Sequence, residues 1–157
     1  MNEKAASRPR KFLVVIDKSP ECRVALRFAA RRAQHTGGRV SLLCVAHLTS
    51  YREWRGIEEI MKDEARAEAE SLVWNAARTV NELTGIVPEI IIEIGATDEI
   101  LLDLLRRDKD ISILVLASSP SSEGPGPLVH LFGCSIQPIP ATIVPGNLTD
   151  AEVDKLA

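Results

Sequence analysis

Several signatures are missing from these 157 residues. No apolar run approaches the roughly 18 residues that cross a bilayer, so no membrane span is expected. Residues 1–10 carry positive charge, but no apolar stretch of signal-peptide length follows. The run at 12–16 is too short and Asp17 ends it. A cytoplasmic setting is therefore expected. The net charge of −3 gives no clustered basic surplus, which argues against nucleic acid as a partner. The three cysteines, Cys22, Cys44 and Cys134, form no CxxC pair and no metal spacing, and read as reduced thiols. Cys44 lies inside an apolar run and reads as inert core. The phosphate loop GxxxxGK[ST] is absent, as are a G-x-G-x-x-G after the first apolar run and a G-x-S-x-G elbow for a serine nucleophile. No catalytic group and no metal site is assigned.

What is present begins with Phe12-Leu13-Val14-Val15-Ile16-Asp17-Lys18-Ser19-Pro20. Five consecutive apolar residues suit a strand buried on both faces. Ser19 and Pro20 read as the N-cap and first position of a helix. A strand that delivers a lone carboxylate to a helix mouth is how open α/β sheets build ligand crevices. The helix runs to about residue 34, with Ala25, Ala29 and Ala33 in step and Gly37-Gly38 as its stop. A second buried strand covers 40–46. A long helix follows over about 52–84, with Met61, Ala65, Ala69, Leu72, Ala76, Val80 and Leu83 as its apolar stripe. Its charged face, Glu68 included, reads as solvated.

The run at 87–94, with Pro88, Glu89 and Glu93, suits an edge strand. Thr97 reads as the cap of a short helix whose apolar face is Ile100, Leu101, Leu104 and Leu105. A fourth strand covers 111–117. The breaker-rich loop 118–126 comes next, then a short helix over 127–132 and a last edge strand at 141–145. The chain past Gly146 reads as a polar tail, and residues 1–10 as a loose leader to one domain spanning 1–157. Alternating strands and helices predict a parallel five-stranded α/β sheet with helices on both faces. The order 3-2-1-4-5 buries the apolar strands and puts the switch point between strands one and four. Residues 17–19 and 118–126 would then wall the crevice, with Val45 and His47 closing it. His47 is the histidine expected within reach, or else it sits in a solvated turn.

The order and spacing of these pieces resemble the universal stress protein family over roughly residues 11–145. The carriers are Val-Val-Ile-Asp-Lys-Ser-Pro at 14–20 and Leu-Leu-Cys-Val at 42–45. Gly95 before an acidic helix start, Ile-Leu-Val-Leu at 113–116 and the closing Ile-Val-Pro at 143–145 complete the set. The resemblance implies a Rossmann-like, adenine-nucleotide-binding fold and a homodimer paired through the last edge strand. It implies a role in stress tolerance as a binder or signalling module. Asp17 falls at the family's nucleotide-side aspartate, and Val15 and Val45 at its contacts to adenine and ribose. Asp17 also has a structural reading, as a carboxylate that receives N–H groups at its own turn.

The family's ATP-binding loop, G-x2-G-x9-G-[ST], is not kept here. Ala117 stands at the first glycine and Pro120 at the second, where an N–H donor is lost. Gly133 is the late match, but Cys134 takes the hydroxyl position and Ser135 comes one place on. Between Gly124 and Gly133 there are eight residues, not nine. Candidate phosphate-side residues are Ala117, Ser118, Ser119, Gly124, Gly133 and Ser135. Glu123 would repel phosphate. A receiver-type phosphoacceptor domain would want an early acidic pair and a lysine after strand five. Asp17 has no close acidic neighbour, and Pro145-Gly146 follows strand five.

Three readings follow. The first is a non-enzymatic stress-response homodimer with weak or no ATP binding. The second is a binder of ATP or another adenine nucleotide, or a slow ATPase, using residues 118–122 and Gly124. The third is a partner-binding adaptor using the long helix and the tail. Trp54, at the long helix's start, is a candidate ligand cover, and Trp74 a packing or subunit contact.

Overall fold

The alternation of strands and helices is realised in full. The structure, a computed structural model, describes residues 8–47, 55–134 and 137–157. Its elements are β1 (Lys11–Ile16), α1 (Cys22–Thr36), β2 (Arg39–Ala46), α2 (Arg55–Thr84) and β3 (Glu89–Ile94). They continue with α3 (Thr97–Arg107), β4 (Ile111–Ser118), α4 (Pro127–Cys134), β5 (Ala141–Pro145) and α5 (Asp150–Leu156). The five strands form one parallel sheet in the order β3-β2-β1-β4-β5.

Strand β1 is buried at every residue, and its side chains alternate between two cores. Phe12, Val14 and Ile16 pack with α1, α2 and Val153 of α5. Leu13 and Val15 pack with Leu101, Leu104 and Leu105 of α3, and Leu128, Val129 and Phe132 of α4 border that side. The helices thus cover both faces, as the continuous apolar strands require. Ala25, Ala29, Ala30 and Ala33 give α1 a small-residue face against the sheet. Gly37, at φ 66°, ends α1 in the left-handed conformation that glycine adopts without strain.

Three local expectations are corrected. Helix α1 starts at Cys22 after Glu21, not at Pro20, because the Ser19 hydroxyl and amide both turn back to Asp17. Thr97 is the first residue of α3 rather than its cap, and its hydroxyl meets His47 instead. The chain after Gly146 is not simply a tail. It forms α5, whose Thr149 hydroxyl accepts the Glu152 N–H as an N-cap. Among the described residues, no helix is long and apolar enough to cross a membrane.

Candidate functional site

The central strands β1 and β2 end side by side, and β4 ends on the other flank of β1. Their carboxyl ends open into a cavity of about 800 Å³. Its floor is Val15, Ile16, Cys44, Val45 and Ala46. Ala65, Glu68, Ala69 and Leu72 of α2 form one wall. Ala96, Thr97 and Asp98 form a second, and Pro127, Leu128, His130 and Leu131 of α4 a third. A smaller cavity of about 110 Å³ adjoins it between β1 and β4. Val15, Asp17, Pro127 and Leu128 border both.

Asp17 sits at the switch point. Its Oδ1 accepts the Ser19 N–H at 2.8 Å and the Ser19 hydroxyl at 2.5 Å, which fixes the carboxylate over the end of β1. Beside it the Lys18 ammonium pairs with Glu68, joining the β1–α1 turn to α2 at the cavity rim. Across the cavity, His47 Nε2 and Thr97 Oγ1 lie 3.0 Å apart and tie the end of β2 to the start of α3. Cys22 donates its thiol to the Val15 carbonyl at 3.6 Å. Burial pushes that thiol up to about 11. Burial also raises Cys44, which lines the floor.

Four N–H groups of the loop after β4 are spent within the loop. Ser119 N–H bonds the Pro125 carbonyl at 2.9 Å. Ser121 N–H bonds Ser119 Oγ, and Glu123 N–H bonds Ser121 Oγ, both at 3.2 Å. Gly124 N–H reaches the Ser121 carbonyl at 3.4 Å. Pro120, Pro125 and Pro127 have no N–H to give.

Of the residues singled out from sequence, Val15, Asp17, Val45 and His47 come together around the main cavity. Ala117 borders the smaller one with Asp17 and Ser19. Ser118, Ser119 and Gly124 line neither of these two cavities. The Ser118 carbonyl instead accepts the Gly146 N–H at 3.0 Å. Gly133 lies in the last turn of α4 and also lines neither. Ser135 and Trp54 fall outside the described residues. Trp74 is 62% exposed on α2 and so is not packed within the subunit.

Sequence reasoning missed two walls. Glu68 is exposed, as a solvated face requires, but it also lines the cavity and pairs with Lys18 across the rim. His130, on α4, also lines the cavity: the Ser119–Pro125 bond folds the loop back ahead of that helix. The four-residue step from Ala65 to Ala69, already visible in the stripe, was the available signal for the α2 wall.

Comparison with known proteins places this geometry. A family model described as the universal stress protein family matches residues 9–129. No curated protein matches the chain by sequence. Universal stress protein UspA from Lactobacillus plantarum is 19% identical with a TM-score of 0.70, over 88% of this chain and 99% of that one. A universal stress protein family protein from Arabidopsis thaliana, with AMP bound, is 16% identical at a TM-score of 0.59. There the overlap is 92% of this chain and 99% of that one. The universal stress protein from Archaeoglobus fulgidus in complex with dAMP is 18% identical at 0.50, over 86% and 97%. At these identities the likeness is one of fold.

Proposed function

The chain belongs to the universal stress protein family, and on that premise we propose a non-enzymatic stress-response module whose crevice takes the adenosine part of an adenine nucleotide. Its hold on a triphosphate is weak or absent. Val15 and Val45 form the apolar seat for the base, and the Asp17 carboxylate accepts the ribose hydroxyls. The AMP and dAMP held by two solved relatives support an adenine ligand.

One observation carries the weak-triphosphate reading: the loop after β4 is closed on itself. A phosphate cradle needs several N–H groups aimed outward from one concave turn. Here Ser119, Ser121, Glu123 and Gly124 direct theirs inward, and three prolines have none. Hydrolysis would also require the γ-phosphate to be held in line with a water. The same loop supplies no such grip, which favours a binder over an ATPase. Ala117, Ser118, Ser119, Gly124, Gly133 and Ser135 would form the phosphate side of the site in the alternative reading.

The subunits pair through β5, whose Ile143 is 46% exposed on the edge strand. Three free cysteines fit a cytoplasmic setting. Calorimetry with adenosine, AMP and ATP–Mg²⁺ tests the ligand reading. Adenosine and AMP should bind, and ATP–Mg²⁺ should bind more weakly and remain intact. Tighter binding of ATP–Mg²⁺ with slow release of ADP would establish the ATPase alternative. Sedimentation tests the dimer: Ile143→Lys should yield monomers, and an unchanged profile would contradict the pairing.

A further inference from the structure

Resting on the adenine reading above, we infer that the crevice prefers an adenine nucleoside with an uncharged, apolar 5′ substituent over any 5′-phosphate. Two features of the main cavity carry this. The first is its charge. Three carboxylates, Asp17, Glu68 and Asp98, face one ammonium, Lys18, and that ammonium is already paired with Glu68. Over these four side chains the balance is negative, and among the described residues the lining adds His47 and His130 but no arginine.

The second feature is the composition of α4 beside Asp17. Pro127 and Leu128 border Asp17 in both cavities, and Leu131 follows on the main cavity's wall. With the ribose hydroxyls on Asp17 and the base on Val15 and Val45, the remaining direction out of the ribose, C5′, runs toward this turn. Pro127 has no N–H, and the His130 N–H is taken by the Gly126 carbonyl at 3.0 Å. An apolar group there removes carbon surface from water, whereas a phosphate there loses hydration and meets only the Leu128 and Val129 N–H groups of the first turn, beside the Asp17 carboxylate. The volume of about 800 Å³ leaves room for such a substituent beyond the nucleoside.

The test is calorimetric titration of the full chain with 5′-methylthioadenosine, adenosine and AMP at low and high salt. 5′-Methylthioadenosine should bind at least about tenfold more tightly than AMP, with adenosine between them. AMP affinity should rise about two- to threefold as ionic strength goes from ~0.02 M to ~0.3 M, because salt screens repulsion as well as attraction. Glu68→Gln removes one negative charge and releases Lys18, so the ratio of AMP to adenosine affinity should increase. AMP binding that equals or exceeds 5′-methylthioadenosine and weakens with salt would overturn the inference and leave the adenine site standing. If none of the three compounds binds, the adenine reading itself fails and takes the inference with it.

Discussion

Arg27 of α1 and Asp154 of α5 meet in a two-bond fork across 127 residues of sequence: Nε to Oδ1 at 2.8 Å and Nη2 to Oδ2 at 2.7 Å. Arg31 Nε adds a third contact at 3.1 Å, and Arg23 holds Asp150 at 2.6 Å. Beneath this charged seam, Val153 is fully buried against the α1 side of the core. Helix α5 lies beyond the stretch that the family model matches.

The hydrogen bond from Arg27, joined by Arg31 and opposed by burial, holds the Asp154 carboxyl at about 2, below its ordinary 3.8. A depressed carboxyl stabilises the fold above the unfolded value and loses that contribution as pH falls through the folded one. Because the side chain is 34% exposed, solvent screening reduces the seam to about 1 kcal/mol. Asp154→Asn should therefore lower the urea midpoint near neutrality. The gap to the parent should close between about pH 4 and pH 2. A gap that stays constant over that range would show that the fork contributes nothing through ionisation.

Gly146 passes under the end of β4. A Cβ there would overlap the Ser118 carbonyl oxygen and come within 2.7 Å of Glu21 Cβ. The Gly146 N–H bonds that same carbonyl. Since one partner in the clash is backbone, relief needs the strand end or the β5–α5 turn to move. Gly146→Ala should cost about 2 kcal/mol, as overpacking commonly does. Hydrogen exchange should show α5 opening first. Protection of α5 equal to that of the parent would rule out the close approach as its anchor.

Lys11 is a lysine buried at the opposite end of β1, with its ammonium 2.5 Å from Asp108 and 2.6 Å from Glu89. Burial pulls the ammonium down, but the hydrogen bonds it donates to Asp108 and Glu89 outweigh that, and the group sits above its ordinary 10.5. Its contribution is complete below that value and fades as pH climbs through the raised one. Lys11→Met strands two carboxylates that water can partly rehydrate, so the loss should be about 2 kcal/mol rather than the full cost of orphaning a buried charge. Denaturant unfolding at neutral pH reads it directly, and a stability equal to the parent's would contradict it.

The thiols should react in a fixed order. Cys134 is exposed on α4, while Cys22 is pushed to about 11 and Cys44 is buried and raised. Thiolate is the reactive form. Ellman's reagent on the native chain should show one fast thiol and two slow ones, and Cys134→Ser should remove the fast phase. A fast phase that survives the substitution would mean that the floor of the crevice is open to the reagent.

The sheet was legible in the sequence because its logic is local. The apolar run 12–16 admits burial on both faces, and Pro88, Glu89 and Glu93 mark an edge. Asp17 and Val45 were placed by strand ends and the switch-point position, and Val15 by the family resemblance. What escaped was decided between distant segments. Ser19 looks like a cap until Asp17 claims its amide and hydroxyl. Thr97 looks like a cap until the fold delivers His47, fifty positions earlier, to its hydroxyl. Glu68 and His130 reach the cavity through α2 packing and a loop closure that no periodicity encodes. Helix α5 is different, because Thr149 and Glu152 stand at capping-box spacing and were readable from the start.

The central claim is that the carboxyl ends of β1 and β2, with α4 above them, form one adenine-nucleoside site. Titration of the isotope-labelled chain with adenosine, followed by amide chemical shifts, tests it most directly. The account predicts saturable shifts concentrated at residues 15–18, 44–47, 96–98 and 127–131, abolished by Asp17→Ala with the rest of the spectrum retained. Shifts confined to other surfaces, or none up to millimolar adenosine, would contradict it.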